Sequence, residues 1–558
     1  MVNAEVIPAD EELLPFSTAE SGEPGWPLRA TWCFVGLGIL VRLVRYLVNY
    51  PIWHDEAFLA VNFWDRSYVD LLRPLDYGQV APWLFLAIER TAVMWLGYSE
   101  RVLRLFPTIC SILSVPLFCL VSGQLVRGIP RLLAVAVFAV SFYPIRHGAE
   151  IKPYASDLLA AMILLYLALR WTRAPQSSRW WWVLTAIVPL LVTLSYPAVF
   201  VAGGISLASA RTVLAANRRL VRLAWAVYSV VLTAAFVASY LACTVVQAQD
   251  MRLEYRFGIW AESFPPLERP WALPLWLLEI HTGTMMAYPI GERHGGSAAT
   301  LLGVVIGGLA LFRRGRKQEL AVLLAPFGLG LIAAGLGRYP YGGAARIMQY
   351  VAPSICLLLG IGLAALLARA CPLSYRRGAL ATSLLCLSFL GVWIAERDLA
   401  KPYRVAEDLK TREFARWFWT EKARDAGVVC LKEDLGLPFR PGLWKVGMSA
   451  VYLFHQRMFS DQNARRLAAR LDPADFSTHR PLRLVAFDAL PRNLPGFEAW
   501  FSELGRSFEV RRTDSYLIQP GKPGEDWLRD AYDVLELVPR TTARAVAVAP
   551  GGQPPRRL

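Results

Sequence analysis

The residues best placed to do chemistry stand together at Trp53-His54-Asp55-Glu56-Ala57-Phe58, directly after the first long apolar run of a 558-residue chain. Two adjacent carboxylates at a membrane face, followed by an amphipathic stretch (Phe58, Leu59, Val61, Phe63, Trp64), can hold one group as a general base in a partly desolvated crevice. There its pKa suits taking a proton from a hydroxyl. The same spacing also fits a plainer role, with Asp55 as the N-cap of a helix beginning at Glu56. Arg42 and Arg45, at i and i+3 near the end of the first run, share one face only a turn or two away. They can meet a lipid phosphate, snorkel towards the interface, or pair with Asp55 or Glu56.

A second cluster, Tyr143 to Asp157, gathers Arg146, His147, Glu150, Lys152, Tyr154 and Asp157, more charge than a turn between two spans needs. Pro153 can open the next helix and put Asp157 on its first turns, facing a crevice or a partner. His147 and Glu150 are of metal-ligand type, but two ligands fall short of the usual three or more, so no cofactor is assigned and a divalent metal stays open. The third cluster runs from Gly337 to Arg346 and holds Arg338, Tyr341 and Arg346. Arginine forks bind phosphate bidentately, and tyrosines hydrogen-bond its oxygens or stack on a sugar. An interfacial aromatic belt explains the tyrosines better than it explains two arginines on a face where positive charge is depleted. Glu279, His281 and Tyr288 read as ordinary polar residues of a large loop. Gly328, Gly330, Gly335 and Gly337, with no strand before them, read as close helix packing and not as a phosphate loop.

The elements that must position these groups are membrane helices. The chain is 55% hydrophobic and 18% charged, against roughly 25% charged for soluble domains, which excludes a soluble single domain, a disordered chain and a disulfide scaffold. Apolar runs fall near 30–48, 81–97, 103–125, 132–146, 155–170, 181–196, 197–212, 222–244, 298–312, 319–336, 350–368 and 379–395, each compared with the roughly 20 residues that a span needs. The net charge of +15 comes almost wholly from arginine, and every second loop is basic: 127–131, 170–179, 211–222, 313–317 and 369–377. Basic short loops stay cytoplasmic. If 81–97 lies in or re-enters the outer face, about eleven spans remain and all five basic loops fall inside; this is the preferred reading. If it crosses, there are twelve spans, an external N-terminus, and 49–80 lies in the cytoplasm.

The expected domains are a polar acidic tail (1–28, not a cleavable signal), a transmembrane domain (29–396) with external loops 49–101, 147–154, 245–297 and 337–349, an external α/β domain (397–540) and a loose tail (541–558). In the α/β domain the pattern gives a helix from Val405 to Arg424, strands at 428–431, 482–487 and 508–518, and a helix near 496–505. No CxxC occurs among the eight cysteines, so neither a disulfide framework nor a thiolate zinc site is implied. A nucleic-acid partner is not expected, because many of the arginines sit in short clusters between apolar runs and do not line a soluble basic face.

Taken in order, these segments resemble a GT-C glycosyltransferase, in particular glycosyltransferase family 39, the group with the protein O-mannosyltransferases and the lipid A aminoarabinose transferase. The carrying residues are His54-Asp55-Glu56; Gly78-Gln79-Val80-Ala81-Pro82-Trp83-Leu84, similar to the family's Gly-x-x-x-Pro-x-Leu; and Gly97-Tyr98-Ser99-Glu100-Arg101-Val102-Leu103-Arg104-Leu105, similar to its Gly-x-Ser-Glu…Leu-Arg-Leu. Ala149-Glu150-Ile151-Lys152-Pro153-Tyr154 resembles a Glu-Ala-Arg-Pro-Tyr pattern with Lys152 in place of arginine, and 346–353 resembles a late Arg-Tyr…Pro stretch with Ile347 in place of tyrosine. The resemblance covers roughly 30–400.

It implies a mostly α polytopic membrane protein with a C-terminal soluble α/β domain, and an inverting transfer of a sugar from a polyprenyl-phosphate donor to an acceptor hydroxyl of a glycan, lipid or protein. By the resemblance Asp55 is the base, Glu56 a supporting carboxylate, Glu150 and Lys152 position substrate, and Arg346 with Arg338 holds the phosphate. Either Glu150 or Asp157 takes the place of a second-loop aspartate found in some relatives. The implied place is a bacterial inner membrane, with site and C-terminal domain on the periplasmic side. The rival reading is a lipid-linked saccharide transporter or a catalytically inactive scaffold. A transporter is expected to spread charge along a path through several spans, whereas these charges collect at one face.

Overall fold

Apolar runs without internal backbone partners must become helices in lipid, where every N–H and C=O has to be satisfied within the segment. The computed structural model describes residues 25–403, apart from 64–65, 76–77, 249–259 and 292–294, and then 406–418, 421, 427–430, 482–487, 508–519 and 530–540. Through residue 403 the helices that matter for the site are α1 (Gly25–Val48), α2 (His54–Ala60), α3 (Trp83–Leu96), α4 (Leu105–Gly123), α5 (Gly128–Ala139), α6 (Phe142–Arg146) and α7 (Tyr154–Thr172). They are followed by α8 (Arg179–Leu194), α9 (Ala198–Leu214), α10 (Arg219–Ser239), α11 (Leu273–Thr282), α12 (Gly296–Arg313), α13 (Lys317–Gly335), α14 (Ala352–Ala370) and α15 (Leu373–Ala400).

Among the described residues eight helices are long and apolar enough to cross a membrane, or nine if α5 and the segment 142–149, bent by 48°, are one span; α8 and α9 are shorter apolar helices. The expected count of about eleven is reached only if those two cross as well. The helix α3 has 14 residues, with Pro82 before it and Gly97, at φ 84°, ending it. At 1.5 Å per residue it reaches about 21 Å, short of the ~30 Å hydrocarbon layer. The chain on its two sides also meets: Arg104 pairs with Glu56 at 2.6 Å, and Asn49 donates to Glu100 at 3.1 Å. A crossing α3 would put those partners on opposite faces, so the reading in which 81–97 does not cross is the one that fits.

The core is a sandwich of helices in which α14 packs on α12 and α5, α7 on α4, and α1 on α5, α4 and α15. Closest approach occurs where side chains vanish. A Cβ on Gly307 would strike the carbonyl of Leu358, one on Gly362 the carbonyl of Gly303, and one on Gly360 the backbone of Ala134. This corrects the expectation placed on Gly328, Gly335 and Gly337, which meet nothing within 4 Å; of that group only Gly330 is close-packed, against Tyr350 and Tyr341. Two of the basic loops meet at the other ends of the same helices: Arg173, closing α7, donates to the carbonyls of Gln124 and Gly123 at 3.0 and 2.9 Å at the end of α4.

The chain divides after Arg404 into a second compact unit. Its α16 (Ala406–Trp417) precedes a four-stranded sheet of order β1-β2-β4-β3, with β1 (Gly427–Cys430), β2 (Leu482–Phe487), β3 (Phe508–Gln519) and β4 (Asp530–Pro539). The pair β1/β2 is parallel, and β4 runs antiparallel between β2 and β3. Three strands agree with the sequence pattern; β4 does not appear in it. The helix expected at 496–505, most of the acidic tail and the tail at 541–558 lie outside the described residues.

Candidate functional site

The segment after α1 turns at Asn49, whose φ of 52° is left-handed, and enters α2 with Ala57, Leu59 and Ala60 buried beneath it. Trp53 is the N-cap, and its N–H donates to Glu56 at 3.4 Å in the manner of a capping box. Asp55 therefore lies inside the first turn and not at the cap, which corrects the plainer reading of its position. Its carboxylate is left for partners from two other loops. Lys152 Nζ donates to Oδ1 at 2.9 Å, and an Arg346 N–H donates to Oδ2 at 3.1 Å. Two segments that lie 97 and 291 residues from Asp55 in the chain thus close on one carboxylate.

Each cation has its own seat. Lys152 also donates to Gln79 Oε1 at 2.5 Å, and the Arg346 guanidinium lies 5.7 Å from the ring of Trp53 and 5.1 Å from that of Trp260. Burial pushes the Asp55 carboxyl up, but the ammonium of Lys152 and the guanidinium of Arg346 outweigh it and hold the group below the ordinary aspartate range. Glu150 accepts from His147 Nδ1 at 2.9 Å; burial raises its carboxyl, but the imidazole beside it prevails and brings it to about 2. His147 is stacked with Tyr143 and edge-on to the buried Tyr154, ring centroids 5.7 Å apart in both cases.

Glu56, next to Asp55, is spent differently. Its side chain is 1% exposed and takes two N–H groups of Arg104, at 3.1 and 2.6 Å, and the backbone N–H of Ile151 at 2.9 Å. Arg104 in turn donates to the carbonyls of Tyr50 and Pro51. This staple ties the start of α4 to the first and second loops.

The structure separates the other expected residues. Arg42 is buried and donates to Ser111 and to the carbonyls of Gly38 and Ala139, at 3.1, 3.0 and 3.0 Å. Arg45 pairs with Asp398 at 3.1 Å and donates to the Arg146 carbonyl, over the ring of Tyr50. Neither pairs with Asp55 or Glu56. Asp157 is buried on the first turn of α7 against Ser195. Arg338 is exposed, and Tyr341 is buried with its hydroxyl 3.1 Å from His281 Nε2. His281, read as an ordinary surface residue, is instead half-buried; its Nδ1 lies 2.7 Å from the Leu277 carbonyl, and burial lowers its pKa.

Sequence reasoning gave no role to Gln79, Arg104 or Trp260. For Arg104 a signal existed, since with Arg101 it puts positive charge at the start of a span on the side where the preferred reading expects such charge to be depleted, which is the argument already applied to Arg346. Among the described residues no three His, Cys, Asp or Glu side chains group as metal ligands would.

The helical membrane bundle that holds this carboxylate and its two cations is a fold shared with solved structures of other proteins. Within it the chain is similar to ArnT from Cupriavidus metallidurans: TM-score 0.50 and 11% identity to the form bound to undecaprenyl phosphate, over 90% of this chain and 97% of that one. Against the apo form the values are 0.51 and 10%, over 90% and 98%. AglB, the Archaeoglobus fulgidus oligosaccharyltransferase, in complex with an inhibitory peptide and a dolichol-phosphate, aligns less well, with TM-score 0.43 and 12% identity over 71% of this chain and 58% of that one. No protein-family model and no curated protein matches the chain.

Proposed function

We propose that the protein is an inverting glycosyltransferase that takes its sugar from a polyprenyl-phosphate donor, with Asp55 as base, on the external face of a bacterial inner membrane. The observation that carries the reading is the Asp55 carboxylate held by Lys152 and Arg346 at the end of the bundle remote from the basic loops. Binding of undecaprenyl phosphate by an ArnT of the same fold supports a donor of this chemistry. A polyprenyl tail stays in lipid while its phosphate reaches Arg346 and Lys152. Asp55 takes the proton of an acceptor hydroxyl, the oxygen bonds to the anomeric carbon, and the bond from that carbon to phosphate oxygen breaks. The polyprenyl phosphate leaves with the electron pair, and the two cations stabilise the charge it gains. Glu150, paired with His147, and Tyr154 line the wall behind Asp55. Tyr341 and Asp157 serve the donor or acceptor, whereas Arg338, an exposed side chain, takes no part in holding the phosphate.

The test is transfer by the purified protein in nanodiscs from a panel of labelled polyprenyl-phosphate sugars, with the anomeric configuration of the product read by NMR. Donor-dependent transfer with inversion is expected. Transfer with retention contradicts the base assigned to Asp55, and no transfer from any donor contradicts the reading as a whole.

A further inference from the structure

A carboxylate held below its ordinary range is fully ionised at neutral pH, yet it is a feeble base, since a base works best with a pKa near the working pH. The groups that weaken it are the two that the donor's phosphate needs. Resting on the proposed function, we infer that Lys152 and Arg346 latch Asp55 in the free protein, and that the donor phosphate opens the latch by taking both cations.

The geometry supports an exchange of partners over a rebuilding of the site. Each Asp55 oxygen holds one cation, at 2.9 and 3.1 Å, so a phosphate with two free oxygens replaces the carboxylate one for one. Both cations keep a seat when Asp55 lets go, Lys152 on Gln79 at 2.5 Å and Arg346 between the rings of Trp53 and Trp260. Asp55 retains 22% side-chain exposure, which leaves room to turn, and the adjacent Glu56 is fixed by Arg104 so that α2 does not follow. The other charged and titratable groups facing Asp55 are Glu150 and Tyr154, and neither is a cation able to replace those lost. Released carboxylate in a desolvated crevice becomes a stronger base at the moment donor is bound, and stays a weak one otherwise. Premature activation of water is thereby suppressed.

The experiment is a double-mutant cycle on binding of a farnesyl methyl phosphodiester, whose single charge does not titrate between pH 4 and 8, to the full chain in nanodiscs. Lys152→Gln and Arg346→Gln each weaken binding, by about tenfold. Asp55→Asn tightens it by about tenfold, and that gain falls to about threefold or less when Lys152→Gln is also present, because the carboxylate then has only one cation to withhold. A gain that persists unchanged in Lys152→Gln reports simple repulsion between two anions and overturns the latch, as does no gain at all. Failure of wild type and every variant to bind the probe overturns the phosphate reading beneath it. A second readout follows from the pH profiles of transfer. The acid limb of kcat, which belongs to the donor complex, lies at higher pH than that of kcat/KM, which belongs to the free enzyme. Coincident limbs overturn the latch even where the transferase reading stands.

Discussion

Asp55 and Glu56 are neighbours on one turn of α2, yet their surroundings divide the work between them. Asp55 is part-exposed and carries one cation on each oxygen, drawn from two distant loops. Glu56 is 1% exposed and is closed off by one guanidinium and by backbone N–H groups. Both are paired with cations, so pairing alone does not mark a reactive group. What separates them is whether the partners can be taken by something else: an ammonium and a guanidinium on a part-exposed carboxylate can be claimed by a phosphate, whereas a buried guanidinium knitted to the Tyr50 and Pro51 carbonyls cannot. A buried pair broken on one side leaves a charge without water, which is why it acts as structure.

That division is open to attack by substitution. The largest effect is expected at Asp55: Asp55→Asn lowers kcat by about 10²–10⁴-fold, the contribution of a positioned base, and moves the unfolding midpoint far less than any change at Glu56 does. Glu56→Ala strands Arg104 and costs about 3–5 kcal/mol in unfolding free energy, read by thermal melting in detergent. A smaller effect belongs to Arg346→Lys, which keeps the charge but loses the fork: donor kcat/KM falls about tenfold, the worth of roughly one hydrogen bond. Smallest is Arg338→Gln, on an exposed side chain, expected within about 0.5 kcal/mol in both stability and donor binding. A large loss there would draw Arg338 into the site and blur the contrast.

How far the sequence reaches follows the same line between local and distant. The spans are legible because lipid imposes a length and a composition on every one of them, and α3 betrays itself by falling short and ending at Gly97. Asp55, Lys152 and Arg346 are legible as charges set directly beside apolar spans, and the family resemblance ordered them. The pairing of Glu56 with Arg104 is not, because its partners lie 48 residues apart across a helix whose course decides whether they can meet. Helical spacing puts Arg42 and Arg45 on one face, but only the packed bundle supplies Ser111 to the first and Asp398 to the second, 353 residues away. The strand β4 escaped because Asp530, Asp533 and Glu536 interrupt its apolar residues, although Val534 and Leu537 are buried.

The most direct measurement sets Asp55→Asn beside Glu56→Gln in one preparation, reading kcat with a polyprenyl-phosphate sugar and the unfolding midpoint of each. The account predicts that Asp55→Asn stays folded and loses transfer, while Glu56→Gln loses stability and keeps most of the turnover of whatever fraction is folded. Full turnover by Asp55→Asn would contradict it.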